Sequence, residues 1–193
     1  LTANCPLPSV LKINDNKLLE WETLIALDDK VKIGLNWQGS RSNPRVANNT
    51  VSLDYFKNII SNKSANFISL QKGMAVEEIE KFQLQKDIIS YDMLMDTGSK
   101  KFLDSAAIIK YLDLVITTDT SIAHLAGTLG TQTWLLLPKV SDWRWLNSKD
   151  ETIWYDNFRI YRQRKQGDWQ EVFSRVEKDC ADLIKNITEL RNS

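Results

Sequence analysis

The chain has one histidine and two cysteines, so it contains few of the side chains that bind transition metals. Cys5 and Cys180 lie near opposite ends of the sequence and cannot form the closely spaced ligand sets of structural zinc sites. The same spacing argues against a small scaffold held together by disulfides. We therefore expect no bound metal.

An excess of charge of one sign is also absent, since 25 basic residues balance 25 acidic ones. A net charge of zero leaves no overall field to attract nucleic acid or an anionic membrane, and neither is an expected partner. No apolar run approaches the roughly 20 residues of a membrane-spanning helix, and no secretory signal opens the chain. We expect a cytoplasmic protein. Because the first residue is Leu1 instead of Met, we also expect a piece of a longer or processed chain.

Several common functional motifs are missing as well. The chain has no G-x-G-x-x-G dinucleotide fingerprint, no Walker loop and no G-x-S-x-G nucleophile elbow. It has no D-x-D pair, the usual clamp for a metal-bound diphosphate in metal-dependent sugar transferases. These absences argue against dehydrogenases, P-loop enzymes and α/β-hydrolases.

What the chain does contain is a regular alternation of short apolar runs with helical patterns. Its 193 residues, 42% of them hydrophobic, suit one well-filled domain. Apolar runs without strict alternation are typical of parallel strands buried on both faces. We predict strands over 31–37, 66–71, 88–91, 113–118, 133–138 and 158–163, and helices over 52–61, 75–83, 102–111 and 121–129. The fold class is α/β, with a Rossmann-like, doubly wound, mainly parallel sheet.

The two ends of the chain differ from this pattern. Residues 1–29 read as a linker with a short helix near 18–27, and the domain proper is predicted over 30–193. A last helix over 169–190 carries apolar residues at three- and four-residue spacing. Cys180 falls on that stripe, so we interpret it as a core residue and not as a nucleophile.

The loop after the fourth predicted strand is the strongest candidate site, because ligands bind at the carboxyl ends of parallel strands. There Asp119 is followed by Thr120 and Ser121 at the start of a helix, whose free N–H groups favour anions. His124 shares a helix side with Ser121 by i, i+3 spacing. The alternative is purely structural: Asp119 caps the helix and His124 packs.

Three other loops reach the same edge of the predicted sheet. The first contains Gly39, Arg41 and Arg45, which are suited to wrapping phosphates or to a surface excursion. In the second, Gln71 and Lys72 meet a ribose or base edge, or only start a turn. After the fifth strand comes a stretch in which tryptophans, arginines and acidic residues are mixed, and we interpret it as a packed cap or substrate loop.

The segments "GLNWQGS", "SLQKG", "DLVITTDTSIAHLAG", "LLPKVSDWRWL" and "WYDNFRIYRQ" occur here in an order that resembles a known family. They are similar to heptosyltransferase-like glycosyltransferases, and in particular to the C-terminal region of bacterial tetratricopeptide-repeat proteins of that kind. The resemblance runs from about Lys32 to Glu177. It implies the C-terminal lobe of the two-lobed fold called GT-B, which holds the sugar nucleotide.

By this resemblance, Asp119 hydrogen-bonds sugar hydroxyls, Thr120 and Ser121 lie near the diphosphate, and His124 matches the family histidine. No cofactor is implied, because the nucleotide-diphosphate sugar is the substrate. One position departs from the pattern: relatives tend to have a basic residue where this chain has Asn49. The diphosphate clamp is then weakened, or moved to Arg41 or Arg45.

The implied reaction is metal-independent transfer of a hexosyl or heptosyl group to an acceptor hydroxyl. In the family the general base lies in the N-terminal lobe, so the catalytic base is unknown here and we expect this chain alone to bind and not to transfer. That lobe, with tetratricopeptide repeats, is the implied partner. Two alternatives stay open: a non-catalytic binding or scaffolding module, and a sugar-nucleotide epimerase or hydrolase.

Overall fold

Helices and strands alternate along most of the chain in the computed structural model, which describes residues 11–25, 28–39, 50–98, 102–146 and 150–193. The strands are β1 (Val31–Asn36), β2 (Ala65–Ser69), β3 (Ile88–Ser90), β4 (Leu114–Thr118), β5 (Thr133–Leu137) and β6 (Phe158–Arg162). The helices are α1 (Asp15–Ile25), α2 (Lys57–Ile60), α3 (Glu77–Lys81), α4 (Leu103–Lys110), α5 (Ser121–Leu129) and α6 (Trp169–Asn192). Each predicted strand is present, within a few residues of its expected bounds.

All six strands pair in parallel in one sheet of order β3-β2-β1-β4-β5-β6. The chain builds outward from β1 to one edge, returns to place β4 beside β1, and then builds to the other edge. At this central pair Ile33 lies opposite Leu114, and Leu35 opposite Ile116. The predicted α/β, Rossmann-like, doubly wound sheet is confirmed.

Both faces of the sheet are covered, which explains why the strands are apolar without alternation. In β4, Leu114 and Ile116 join a cluster that includes α6. Val115, which lies between them in sequence, joins a second cluster with α1, α4 and α5 on the opposite face. Successive side chains of a strand point to opposite faces, so a strand between two helical layers needs apolar residues at every position.

The predicted last helix is α6, and it lays its apolar stripe along the first face. Its N-terminus is capped by Asp168, whose carboxylate accepts a hydrogen bond from the N–H of Glu171 at 3.1 Å. Cys180 is 1% exposed, and burial raises the pKa of its thiol to about 12. The thiol therefore stays protonated at neutral pH, and Cys180 is a core residue as predicted.

The predicted helices over 52–61 and 75–83 are shorter and tighter than expected. Each begins as a 3₁₀ turn, over Leu53–Phe56 and Gly73–Val76, and continues as the short helix α2 or α3. The second turn starts at Gly73, whose φ of +74° favours glycine. Within the described ranges, no helix has both the length and the apolar character required to cross a bilayer.

Helix α1 is the short helix predicted near 18–27 within the N-terminal segment; it begins a few residues earlier, at Asp15, and packs on α4. Trp21 is 1% exposed, and its indole N–H donates to Asp104 Oδ1 at 2.8 Å. Two tyrosine hydroxyls also hold α1, since Tyr91 donates to the carbonyl of Leu24 at 2.7 Å and Tyr111 to that of Leu18 at 3.0 Å. The helix is thus attached through partly buried hydrogen bonds as well as apolar contact.

Asp104 is the main polar link between α1 and the domain. Besides Trp21, it accepts from the N–H of Asp96 at 2.8 Å and pairs with Lys17 at 2.8 Å. Burial raises the pKa of this carboxyl, but the hydrogen bonds from Lys17, Trp21 and the Asp96 backbone outweigh burial and leave the pKa below its ordinary value.

We expect Asp104→Ala to lower the free energy of unfolding by about 2–3 kcal/mol, because it leaves buried donors without an acceptor. Glu20→Ala is the matched control: Glu20 is the more exposed partner of the same lysine, at 58% side-chain exposure, and its loss should cost under about 0.5 kcal/mol. The contribution of Asp104 is complete above its ordinary pKa and is lost as the pH falls through the lowered pKa. Urea titrations at neutral and acid pH measure both effects, and equal losses in the two variants would contradict this role.

Candidate functional site

The candidate site lies at the carboxyl ends of β1 and β4, where the order of strands reverses. Connections from these two neighbours run toward opposite edges of the sheet, so a crevice opens between the loops that follow them. The residues there are polar although the strands are apolar. Asn36 and Thr117 are fully within the sheet and buried, and they lie opposite each other in the β1–β4 register.

Gln71 organises the β1 side of the crevice. Its side-chain oxygen accepts from the N–H groups of Trp37 and Gln38 at 3.1 and 3.0 Å, and from the Asn36 amide at 3.1 Å. Its amide nitrogen donates to the carbonyls of Gln38 and Lys72. The side chain is 3% exposed. Gln71 therefore fixes the course of the loop after β1, and its predicted contact with a ribose or base stays a prediction.

Asn36 carries this network across to β4. Its side-chain oxygen accepts from the hydroxyl of Thr120 at 2.8 Å and from that of Thr117 at 3.3 Å. Sequence reasoning missed Asn36, although an amide that ends an otherwise apolar strand was a usable signal. The start of α5 is thus tied directly to the end of β1.

Because Thr120 bonds to Asn36, its side chain does not cap α5. The first N–H groups of the helix face the crevice edge, where Ser121 is exposed. A helix N-terminus in this state offers hydrogen-bond donors and a positive dipole end to an anion.

Asp119 lies directly before this helix start. Its side chain is only 7% exposed, and the cation near it, Arg144 Nη2, is 3.9 Å from its Oδ2. Arg144 is itself shared, because its Nε lies 3.0 Å from Asp142 Oδ1. Within the described ranges, no hydrogen-bond donor contacts the Asp119 carboxylate. A nearly buried carboxylate without a hydrogen-bond donor from these residues can accept several hydrogen bonds from a ligand.

His124 lies one turn into α5 against an aromatic shelf formed by Trp145, Tyr155 and Phe158. Its ring stacks on Trp145 at a centroid distance of 5.4 Å and an interplanar angle of 21°. Its Nδ1 is 3.1 Å from the hydroxyl of Tyr155. Burial lowers the pKa of His124, Asp119 raises it, and Arg144 lowers it further, so the net pKa lies below its ordinary value.

Gly127 makes room for Tyr155. A Cβ at Gly127 would stand 2.5 Å from Tyr155 Cδ1 and 2.7 Å from Cγ. Tyr155 also stacks on Phe158, with centroids 4.7 Å apart. Sequence reasoning missed Tyr155 and Gly127, since their contact joins a loop after β5 to a helix before it. The i, i+3 spacing of His124 and Gly127 was the available signal.

The loop after β5 packs over the strand ends, which agrees with the packed cap that we predict for this stretch. Trp145 is fully buried. Arg162, at the end of β6, donates to the carbonyls of Trp145 and Leu146 and to the hydroxyl of Ser141. This guanidinium fixes the segment that carries both Arg144 and the Trp145 side of the shelf.

A cavity of about 340 Å³ borders the start of α5. Ser121 and His124 both line it, which agrees with the helix side that their spacing predicts. The other lining residues are mainly apolar: Leu11, Phe102, Leu103, Leu125 and Thr128. Its volume falls at the lower end of the range usual for small-molecule sites.

The other predicted site residues lie in different situations. The Lys72 ammonium donates to the carbonyls of Asp92 and Met95. Gly39 follows β1 and is partly buried. Arg41, Arg45 and the divergent Asn49 lie outside the described residues. Histidine, cysteine and carboxylate side chains form no group suited to a metal ion in the described part of the chain.

As the chain has a single histidine, the pKa of His124 can be read directly from its ring resonances by NMR. We expect this pKa to lie below the ordinary 6.5. The free energy of unfolding should then fall as the pH drops below 6.5, and the loss is complete below the pKa of the folded state. Asp119→Asn should lower this pKa further and Arg144→Gln should raise it. Asp142→Asn is the control. Asp142 raises the pKa of His124 less than Asp119 does, so its removal should lower that pKa by a smaller amount. Shifts of the opposite sign would contradict this electrostatic arrangement.

We expect Gly127→Ala to destabilise the domain by up to about 2 kcal/mol, the difference between a crowding cost against Tyr155 of about 1–3 kcal/mol and a gain of about 1 kcal/mol in helix propensity. At Gly98 an added Cβ meets nothing within 4 Å, so Gly98→Ala is the matched control with a change below about 0.5 kcal/mol. Urea unfolding gives the free energies, and near-ultraviolet circular dichroism reports the aromatic shelf. A stable Gly127→Ala with an unchanged aromatic signal would show that Tyr155 does not pack here.

Known proteins share parts of this sequence and fold. No protein-family model matches the chain. It is 27% identical to Protein FlbA of Caulobacter vibrioides over 155 residues, which are 79% of this chain and 25% of that protein.

Two solved structures are similar in fold. One is a glycosyl transferase family 9 protein of Veillonella parvula, with TM-score 0.53 and 13% identity over 92% of this chain and 52% of that one. The other is the ADP-heptose LPS heptosyltransferase II of E. coli, with TM-score 0.57 and 14% identity over 91% and 53%. The chain thus spans about a quarter of the curated relative and about half of each solved structure. The Rossmann-like α/β fold of this chain is therefore one that it shares with parts of these two structures.

Proposed function

We propose that this chain is the donor-binding domain of a glycosyltransferase and holds a nucleotide-diphosphate sugar at the crevice between β1 and β4. The Asp119 carboxylate is the observation that carries the proposal. Its side chain is 7% exposed and its neighbouring cation is 3.9 Å away. A carboxylate with no hydrogen-bond donor among the described residues keeps its full capacity to accept hydrogen bonds. A ligand with several hydroxyl groups, such as a sugar, would supply the donors.

The start of α5 suits the diphosphate part of such a ligand. Its N-terminal N–H groups lie next to Asp119 and carry the positive end of the helix dipole. The exposed hydroxyl of Ser121 adds a donor at the same place. A hydroxylated ring near Asp119 and an anion near Ser121 is the order of groups found in a sugar diphosphate.

In the proposed reaction, the bond from the anomeric carbon to the diphosphate oxygen breaks and a bond to an acceptor oxygen forms. The nucleoside diphosphate leaves, and its charge is stabilised by the helix N-terminus without a metal. The acceptor proton passes to a general base. We propose that this base and the acceptor lie in a second lobe; that this chain spans about half of the two similar structures supports this.

A second candidate, a non-catalytic binding module, is favoured by the state of three basic side chains in the described part of the chain. Lys72 is bonded to two carbonyls, Arg144 lies between two carboxylates, and Arg162 is bonded to the loop after β5. Each is already engaged within the domain. While these bonds hold, these three side chains are not free to stabilise the charge of a departing diphosphate.

Thermal unfolding with ADP, UDP, GDP, dTDP and CMP, and with ADP-glucose, UDP-glucose, GDP-mannose, dTDP-glucose and CMP-sialic acid, tests donor binding. A ligand at a hundred times its Kd adds about 2.7 kcal/mol, which at about 2–4 °C per kcal/mol is a rise in Tm of about 5–11 °C. We expect one base to stabilise the wild type and its sugar conjugate to stabilise it more. Asp119→Ala should remove the extra effect of the sugar.

Asp113→Ala is the matched control. Asp113 directly precedes β4, at the amino ends of the strands and so away from the candidate site, and it pairs with Arg191. Its Tm should fall while its response to ligand stays that of the wild type. A wild-type chain that responds to none of the ten compounds would overturn donor binding. Binding without transfer by the full-length protein would favour the non-catalytic module.

A further inference from the structure

His124 has one ring nitrogen engaged and one available. Its Nδ1 lies 3.1 Å from the hydroxyl of Tyr155. For Nε2, the residues described here provide no hydrogen-bond partner. The ring borders the cavity at the start of α5, on the helix that carries the proposed anion-binding end. The state of Nδ1 decides whether Nε2 donates or accepts, because a neutral imidazole carries a single proton.

Tyr155 is held where it contacts His124. Its ring lies in van der Waals range of the α5 backbone at Gly127, where no other residue type leaves enough space. The ring of Phe158 stacks on Tyr155, with centroids 4.7 Å apart, and also on Trp145, at 5.9 Å. Trp145 in turn stacks on His124. The hydroxyl therefore reaches Nδ1 from a ring with little freedom to move.

The chemistry of the two groups bears on the direction of this hydrogen bond. Within the described residues, the hydrogen-bond partner of the Tyr155 hydroxyl is Nδ1 of His124, 3.1 Å away. A phenol is a good donor and imidazole nitrogen a good acceptor. This pair therefore favours an arrangement in which the hydroxyl donates to Nδ1 and the ring proton resides on Nε2.

We propose that Tyr155 is a positioning residue that holds His124 in the tautomer with its proton on Nε2, so that Nε2–H donates to an oxygen of the bound nucleotide sugar. The donor is a neutral group, which suits a sugar hydroxyl or a diphosphate oxygen without adding charge. The inference rests on the proposed function for the identity of the ligand. The tautomer itself is a property of the free protein.

Ring ¹⁵N shifts of the single histidine report its tautomer in the free protein, at about pH 8 where the ring is neutral. We expect the wild type to populate the Nε2–H form alone. Tyr155→Phe keeps the ring that packs on Gly127 and Phe158, and it should give a mixture of both tautomers. Tyr111→Phe is the matched control: it also loses a hydroxyl bond, at 3.0 Å to a backbone carbonyl of α1, and should leave the histidine shifts unchanged.

Gly127→Ala provides a second route that keeps the hydroxyl. The added methyl displaces Tyr155 and should produce the same mixture of tautomers. This variant keeps the inference testable if Tyr155→Phe folds poorly. A wild type with its proton on Nδ1, or ¹⁵N shifts that neither variant changes, would overturn the positioning role.

Binding then tests what the tautomer does. With the sugar nucleotide that most stabilises the wild type among the five named above, Tyr155→Phe should weaken binding by about 3- to 10-fold, as expected for one misdirected hydrogen bond. Tyr111→Phe should bind like the wild type. Unchanged affinity in Tyr155→Phe would overturn the link to the ligand. If no compound binds the wild type, the proposed function fails, and the ¹⁵N shifts still decide whether Tyr155 positions His124.

Discussion

The pairing of β1 with β4 at the centre of the sheet organises both the core and the candidate site. Both strands have neighbours on either side and a helical layer on each face. Their side chains must therefore be apolar along almost their whole length. Polar groups are displaced to the strand ends, where Asn36 and Thr117 meet. The same pairing reverses the order of the strands and opens the crevice, so the requirement for a core and the location of the site have one origin.

Around that crevice, most polar groups are occupied by the protein itself. Gln71 holds the loop after β1, Asn36 ties β1 to α5, and Arg162 holds the loop after β5. These bonds make the loops rigid, which favours precise placement of a ligand. Asp119 and the first turn of α5 are different, because they hold hydrogen-bonding capacity that the described protein atoms do not use. A binding site consists of such surplus capacity on a rigid support.

Sequence patterns predicted the strands, their order along the chain and the loop from Asp119 to His124, because these features depend on local periodicity and on where parallel strands end. They could not predict that the Gln71 side chain would form its hydrogen bonds with backbone groups of another loop. That outcome depends on how close two strand ends come in space. The contact of Tyr155 with His124 was out of reach for the same reason, since 31 residues separate the two.

The sequence is sufficient to predict a parallel α/β sheet, a buried Cys180 and a polar loop after β4 that starts a helix. Each follows from residue type and spacing, which act over one or two turns of chain. Tertiary structure alone decided which polar groups are satisfied and which remain available. It left Asp119 nearly buried beside a cation at 3.9 Å, and it set Tyr155 against Gly127 and His124. Hydrogen bonds act over about 3 Å, so their partners are chosen only when packing has brought distant segments together.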